Sequence, residues 1–369
     1  MQPPPSNNRI FNFSPGPATL PESVLQKAAS ELVALPGVGS SILEVSHRGP
    51  VFTKYMNLAR DGLRTLLAVP EDYEILFLQG GSRLQFAMIP MNFQRPQEKP
   101  AAYAITGSWG KKAFSEAQVV GNATAVWDGG ADHYRSLPEQ PFNLDPNQYS
   151  YCYYVSNETI QGVQFADEPD SGKIPLVCDA SSDFLHKPLD ISKYALLYAC
   201  AQKNAGAAGV TIVIVRKDFV ESARPELPGY LSFGSHVENQ SLYNTPPTFA
   251  IYILALIVQW LIEDVGGLKK MHSQNLAKAQ RLYEVIDQYQ GLYTGHAEPH
   301  CRSLMNVVFH LKNESLLDLF LKEAEQNGLA SLAGHRSVGG IRASIYNAMP
   351  VTGVDHLAEY MADFAAKHA

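Results

Sequence analysis

The sequence predicts an α/β protein: a large domain built on a mainly parallel sheet, followed by a smaller α+β C-terminal domain. Three observations lead there. From about residue 74 short apolar runs alternate with helix-like stretches, the pattern of strands joined by crossover helices and covered on both faces. The carboxyl ends of those runs carry glycines, hydroxyls, one aromatic, one acid and one lysine, and in such sheets ligands bind outside the carboxyl ends of the strands. After residue 265 the pattern changes to strand, helix, strand, helix.

In chain order, MQPPPSNN has neither the basic nor the apolar region of a signal peptide and reads as a short tail. YEILFLQ with RLQFAMI, and AAYAIT with WGKKAFSEA, are strand–helix pairs; YSYCYYV, IPLVCD, YALLYAC and GVTIVIV are further strands. The most apolar window, 249–262, is too short for a membrane span, carries Gln259 and follows the breaker NTPPT. It reads as a buried helix or one lining a subunit interface. A long amphipathic stretch, 267–289, precedes the strand MNVVFHL, the helix ESLLDLFLKEAEQNGL, the strand GGIRASI and the closing helix VDHLAEYMADFAAKH. The expected division is an N-terminal segment 1–15, a large domain 16–264 and a small domain 265–369.

A chain of 369 residues, 46% of them hydrophobic, buries a large core and suits two domains. The net charge of −7 argues against a nucleic-acid footprint while leaving room for a local basic pocket that takes a small anion. Cys152, Cys178, Cys200 and Cys301 are widely spaced, with no CxxC pair and no zinc-like histidine pattern. The expectation is a cytoplasmic protein with reduced thiols and no metal.

Lys203 stands in YACAQKNAGAAG, directly after an apolar run and among side chains too small to shield an ammonium. A solvated loop accommodates such a lysine; so does a site in which a desolvated amine serves as Schiff-base or general-base residue. Asp179 ends the preceding strand and suits either a helix cap or the partner of Lys203. Together an acid and an amine on adjacent strand ends meet the needs of pyridoxal phosphate, whose aldehyde takes the lysine and whose pyridine nitrogen is held protonated by the acid. GGSR at 80–83, where a helix begins, offers backbone N–H groups to a phosphate. Trp109 suits the core or a stack on the ring.

Eight stretches carry a resemblance: FNFSPGPATLP (11–21), EVSHRGP (44–50), LQGGSRLQF (78–86), TGSWGKKA (106–113), SNETIQGV (156–163), ACAQKNAGAAGVTIVIVR (199–216), YNTPPTFAIY (243–252) and GHRSVGGIRASIYNAMP (334–350). In this order they resemble the phosphoserine aminotransferase family, class V aminotransferases of the fold type I, aspartate-aminotransferase-like group of pyridoxal-phosphate enzymes. The paired SHR and GHR-VGG-RASIYNAMP motifs are specific to that family within the group.

The resemblance implies a homodimer that moves the amino group of L-glutamate to 3-phosphohydroxypyruvate, with no membrane or nucleic-acid partner. It implies Lys203 as the Schiff-base lysine, Gln202 beside it, Asp179 facing the pyridine nitrogen and Trp109 stacked on the ring. Thr159 would contact the region of the ring hydroxyl; Ser82 and Arg83 would hold the phosphate, with Asn244 and Thr245 reaching it from the partner subunit. His47, Arg48, His335, Arg336 and Arg342 would receive the two anionic ends of the substrate, which agrees with their chemistry: a planar guanidinium suits a carboxylate, and mixed His and Arg suit a second anion that changes between half-reactions. Alanine- or glyoxylate-type aminotransferases are distinguished by the HR pairs, since their substrates lack that second anion, and a cofactor-binding protein without turnover is the rival of another class. The chain departs from the usual family pattern at Cys200, Ala205, Ala207, Ser156 and Asp183, and Asp183 is expected to weaken anion binding if it faces inward.

Overall fold

Seven stretches between residues 73 and 216 pair into one sheet in the computed structural model, which describes residues 9–94, 98–138, 142 and 144–368. The tail read at 1–8 lies outside the described residues. The chain enters through β1 (Phe11–Asn12), α1 (Glu22–Glu31) and α2 (Pro50–Leu66). It then builds β2 (Tyr73–Leu78), α3 (Gly81–Phe93), β3 (Ala101–Ile105), α4 (Ser108–Val120) and β4 (Ala123–Asp128). After β5 (Cys152–Val155) a small hairpin of β6 (Asn157–Glu158) and β7 (Val163–Gln164) precedes β8 (Leu176–Asp179), β9 (Leu196–Cys200) and β10 (Thr211–Arg216).

The sheet order is β2-β10-β9-β8-β5-β3-β4. All neighbours are parallel except β10, which runs antiparallel to both β2 and β9. Two reversals leave β2 pointing the same way as β9, so the carboxyl ends of β2, β3, β5, β8 and β9 lie on one edge. Both faces are apolar. Ile75, Phe77, Tyr154, Leu197, Ile212 and Ile214 face one layer; Leu76, Leu78, Tyr153, Val177, Leu196 and Val213 face the other. Covering both faces explains runs that are apolar throughout and do not alternate.

The layer on the first face is α7 (Thr248–Glu263), packed against α2. The two helices approach so closely that a Cβ on Gly62 would lie 2.1 Å from Val258 Cγ1. Short helices α5 (Lys217–Glu221) and α6 (Phe233–Glu238) lie between β10 and α7 in the chain. No single helix among the described residues is long and apolar enough to cross a membrane.

A second core forms around the antiparallel sheet β11 (Tyr293–Gly295), β12 (Asn306–Leu311) and β14 (Ile341–Ser344), with α8 (Leu268–Gln288), α9 (Leu317–Gln326) and α10 (Val351–His368). Phe13 is fully buried in it, and β1 pairs in parallel with β13 (Leu329–Ala330), so the first strand of the chain completes the C-terminal end of the fold. Sequence reading passed over α1, α2 and β4. β4 lies at the sheet's edge with no fully buried position, so it carries no continuous apolar run.

Candidate active site

The carboxyl edge of the sheet encloses a cavity of about 250 Å³, lined by Gly81, Ser82, Trp109, Thr159, Asp179 and Lys203 among others. Lys203 lies in the turn after β9. The small residues around it let the turn seat on α7: Gly206 has φ +140°, and a Cβ there would stand 3.2 Å from Ile253 Cγ2. From the other side the SPGP segment presses on the lysine stem, where a Cβ on Gly16 would be 3.4 Å from Lys203 Cγ, and Ala18 N–H donates to Gln202 O at 2.9 Å. Lys203 Nζ donates to Thr159 Oγ1 at 2.8 Å and lies 5.8 Å from the centre of the Trp109 ring. Burial pushes the amine below the ordinary lysine pKa, against the pull of Asp179.

Asp179, at the end of β8, is 3% exposed. Its Oδ1 accepts from Ser181 N–H at 2.9 Å and its Oδ2 from Tyr198 O–H at 2.9 Å, while the Tyr198 hydroxyl also meets that of Tyr153 at 2.8 Å. Burial raises the carboxyl above its ordinary pKa; the Ser181 contact, Lys203 and Tyr198 oppose that rise. The acid is thus aimed by fixed donors on the wall that Lys203 shares.

Gly80 (φ +88°) and Gly81 (φ +63°) turn β2 into α3 and bring the backbone of 80–83 to the cavity. Ser82 N–H donates to Cys200 Sγ at 3.0 Å, and Ser82 Oγ lies 3.0 Å from Ser181 Oγ. The Arg83 guanidinium passes 6.0 Å from the Trp109 ring and 3.7 Å from Glu116. Trp109 itself sits in the first turn of α4.

Arg342, on β14, is 7% exposed, and its Nε has no hydrogen-bond partner among the described residues. His335 is held below its ordinary pKa by partial burial and by Arg342, Lys112 and Arg336. The three cations and the imidazole therefore share one field. Lys112, whose Nζ stands 4.2 Å from the Trp109 ring centre, was missed in the sequence; one helical turn past Trp109 in α4 is the signal that could have found it.

Other expected residues lie elsewhere in the subunit. His47 and Arg48 occupy the turn before α2, with Arg48 exposed, and among the described residues no hydrogen bond joins them to His335, Arg336 or Arg342. Asn244 Nδ2 donates to Gln79 Oε1 at 3.2 Å and Thr245 O accepts from Gln79 Nε2 at 3.3 Å, outside the Lys203 cavity. Asp183 turns away from that cavity, accepting from Ser156 Oγ at 2.5 Å and Gln164 Nε2 at 3.0 Å. Two departures from the family pattern thus satisfy each other. All four cysteines are free and buried. Among the described residues no group of His, Cys, Asp and Glu has the arrangement of a metal site.

The fold and this edge are those of an aminotransferase: the family model described as aminotransferase class-V matches residues 10–357, and the chain belongs to that family. The phosphoserine aminotransferase of Rhodopirellula baltica is 53% identical over 362 residues, covering 98% of this chain and 96% of that protein. The solved phosphoserine aminotransferase from Bacillus circulans subsp. alkalophilus superposes with a TM-score of 0.95 at 44% identity, over 98% of this chain and 100% of that one. The PLP-bound phosphoserine aminotransferase from Trichomonas vaginalis gives 0.89 at 40% identity, over 96% and 99%. Within the class-V family, the chain is a member of the phosphoserine aminotransferases.

Proposed function

We propose that this chain transfers the amino group of L-glutamate to 3-phosphohydroxypyruvate, giving O-phospho-L-serine and 2-oxoglutarate, with pyridoxal 5'-phosphate as its cofactor. The observation that carries the reading is a half-buried lysine amine and a buried, donor-held carboxylate on the walls of one cavity, in a chain of this family. The donor set fits the cofactor: an amine for an aldehyde, an acid for a pyridine nitrogen, an indole for a ring face, and a glycine turn at a helix start for a phosphate. When bound, the cofactor supplies a carbonyl for the substrate amine and a ring that accepts the electron pair left at the α-carbon.

The chain's own residues do the rest. Lys203 Nζ, its pKa lowered by burial and its position set by Thr159 Oγ1, takes the proton from the substrate α-carbon and returns it on the far side of the transfer. General acid–base help of this kind contributes about 10² to 10⁴ in rate. Asp179 holds the ring nitrogen, Trp109 and Gln202 wall the ring, and Ser82 and Arg83 hold the phosphate. Arg342, with Nε unpaired inside the fold, takes the α-carboxylate common to both substrates; His335 and Arg336 take the distal anion.

The reading extends to a cytoplasmic homodimer in which His47, Arg48, Asn244 and Thr245 serve the partner subunit's site; that none of the four lines its own Lys203 cavity, and the four buried free thiols, support it. It takes 16–264 as the cofactor-binding domain and 265–369 as the small domain, with 1–15 as the entering segment; a C-terminal core distinct from those of the large sheet supports two domains, with Val265, Leu268 and Met271 still packed in the large one and Phe13 in the small one. The test is a coupled transamination assay with glutamate and three acceptors: phosphohydroxypyruvate, pyruvate and glyoxylate. Preference for the phosphorylated acceptor is expected, and preference for pyruvate or glyoxylate would overturn the reading.

A further inference from the structure

One buried carboxylate has no part in the reaction as described. Glu158, on β6, is 0% exposed. Its Oε1 accepts from Gly110 N–H at 2.7 Å and its Oε2 from Trp109 N–H at 2.9 Å. The remaining amide of that helical turn, Ser108 N–H, donates to Gln161 Oε1 at 3.2 Å, and Gln161 Nε2 returns a bond to Ser108 Oγ at 2.7 Å. The N-cap of α4 is Gly107, which has no side chain to cap with. Two side chains from the β6–β7 hairpin do that work, and an acid there also suits the positive end of the helix dipole.

The glycines of TGSWG follow from this fit. A Cβ on Gly107 would stand 2.4 Å from Glu158 Cδ, and one on Gly110 3.2 Å from Oε1. The next residue, Thr159, takes the Lys203 amine. One dipeptide therefore fixes the backbone of Trp109 and the amine of Lys203 together.

We propose that Glu158 is a positioning residue for the reaction, its carboxylate fixing the Trp109 wall of the cavity and placing a negative charge beside Lys203. The inference rests on the aminotransferase reading. The titratable groups that act on it are Asp179 from β8, Lys203 from the turn after β9, Lys112 from α4 and Tyr134 from the turn after β4. Burial pushes the Glu158 carboxyl up to about 7, against the Gly110 and Trp109 N–H groups. Protonation removes the charge and leaves one of the two amides facing a hydroxyl.

The test uses protein loaded with pyridoxal phosphate, wild type against Glu158→Gln, whose amide likewise offers one acceptor in place of two. The variant is expected to bind the cofactor about tenfold more weakly, as loss of one charge-assisted bond predicts. It should show a weaker visible circular dichroism of the cofactor band. The midpoint of the pH titration of visible absorbance should fall by about one unit, since a lost negative charge disfavours a protonated nitrogen. Identical dichroism and midpoint in the two proteins would overturn the proposal. If Glu158→Gln does not fold, the wild type decides: its cofactor dichroism must weaken as pH falls from about 8 to about 6, and a constant signal overturns the proposal. A wild-type protein that takes up no cofactor defeats the aminotransferase reading itself, whereas loaded, active protein indifferent to Glu158 defeats only this inference.

Discussion

In the proposed reaction Lys203 is the reactive amine, its pKa lowered by burial, and Asp179 is the acid that fixed donors stop from turning away. Borohydride treatment of the loaded protein should therefore fix the cofactor on Lys203, and peptide mapping that finds it on another lysine would displace the assignment. Asp179→Ala should leave cofactor binding measurable but remove most turnover, since a ring whose nitrogen is unprotonated is a poor electron sink. The proposed reading gives Arg342 the α-carboxylate and His335 the distal anion. Arg342→Lys should slow both half-reactions, because an ammonium cannot reproduce a two-pronged guanidinium at a carboxylate that both substrates carry. His335→Ala should harm the phosphorylated acceptor more than glutamate, a phosphate having more charge and more acceptor oxygens to lose a partner for. Single-turnover rates of each half-reaction check this, and equal losses would remove His335 from the distal site.

At the scale of elements, α8 holds the loop after β14 through one buried amine. Lys278 is 2% exposed, and its Nζ donates towards the carbonyls of Ile345, Tyr346, Asn347 and Met349 at 2.8 to 3.4 Å. The same loop reaches the Lys203 turn, where Asn347 N–H donates to Asn204 Oδ1 at 2.9 Å. Burial pushes Lys278 down to about 7 from an ordinary lysine value of 10.5. Between those values the unfolded chain binds more protons than the folded one, so this group makes stability rise with pH there, and below about pH 7 its contribution is flat. Lys278→Met should be less stable by about 1 to 3 kcal/mol, the carbonyls having lost their donor. Its deficit against wild type should widen between pH 7 and pH 9 in thermal melts; parallel profiles would show that the amine does not titrate in that window. Such a contact is invisible in sequence, where Lys278 is one more charge on an amphipathic helix. The strands, the edge they present, and Lys203 with Asp179 were legible because each is local: an apolar run, then a small or charged residue. Glu158 capping α4, Lys112 beside Trp109 and β1 completing β13 were not, because each depends on two segments meeting that share no periodic pattern.

The whole molecule bears on residues that one subunit leaves away from its cavity. Within their own chain Asn244 and Thr245 are tied to Gln79, and Tyr230 O–H donates to the same Gln79 Oε1 at 2.9 Å, so the YNTPPT loop is fixed in shape before it meets any phosphate. Its two prolines add to that stiffness, and it leads into α7, which packs on α2. Residues 25–43 leave Leu25, Leu32, Val33, Val38 and Leu43 exposed, Val33 by 85% and Leu43 by 59%. A loop serving only its own subunit would make Thr245→Ala, at an exposed residue outside the α7 cap, a change within about 0.5 kcal/mol in stability with little effect on the cofactor. A shared site makes a different prediction, in which Asn244→Asp/Thr245→Asp repels the phosphate held by the other subunit. Mixing those subunits with Lys203→Ala subunits then gives heterodimers with one doubly damaged site and one intact site, and activity returns to about half that of a wild-type dimer by two-fold symmetry. The heterodimer fraction is measured with distinguishable tags on the two subunits, and activity is read per heterodimer. Heterodimers that are present but inactive would return the loop to its own subunit's site.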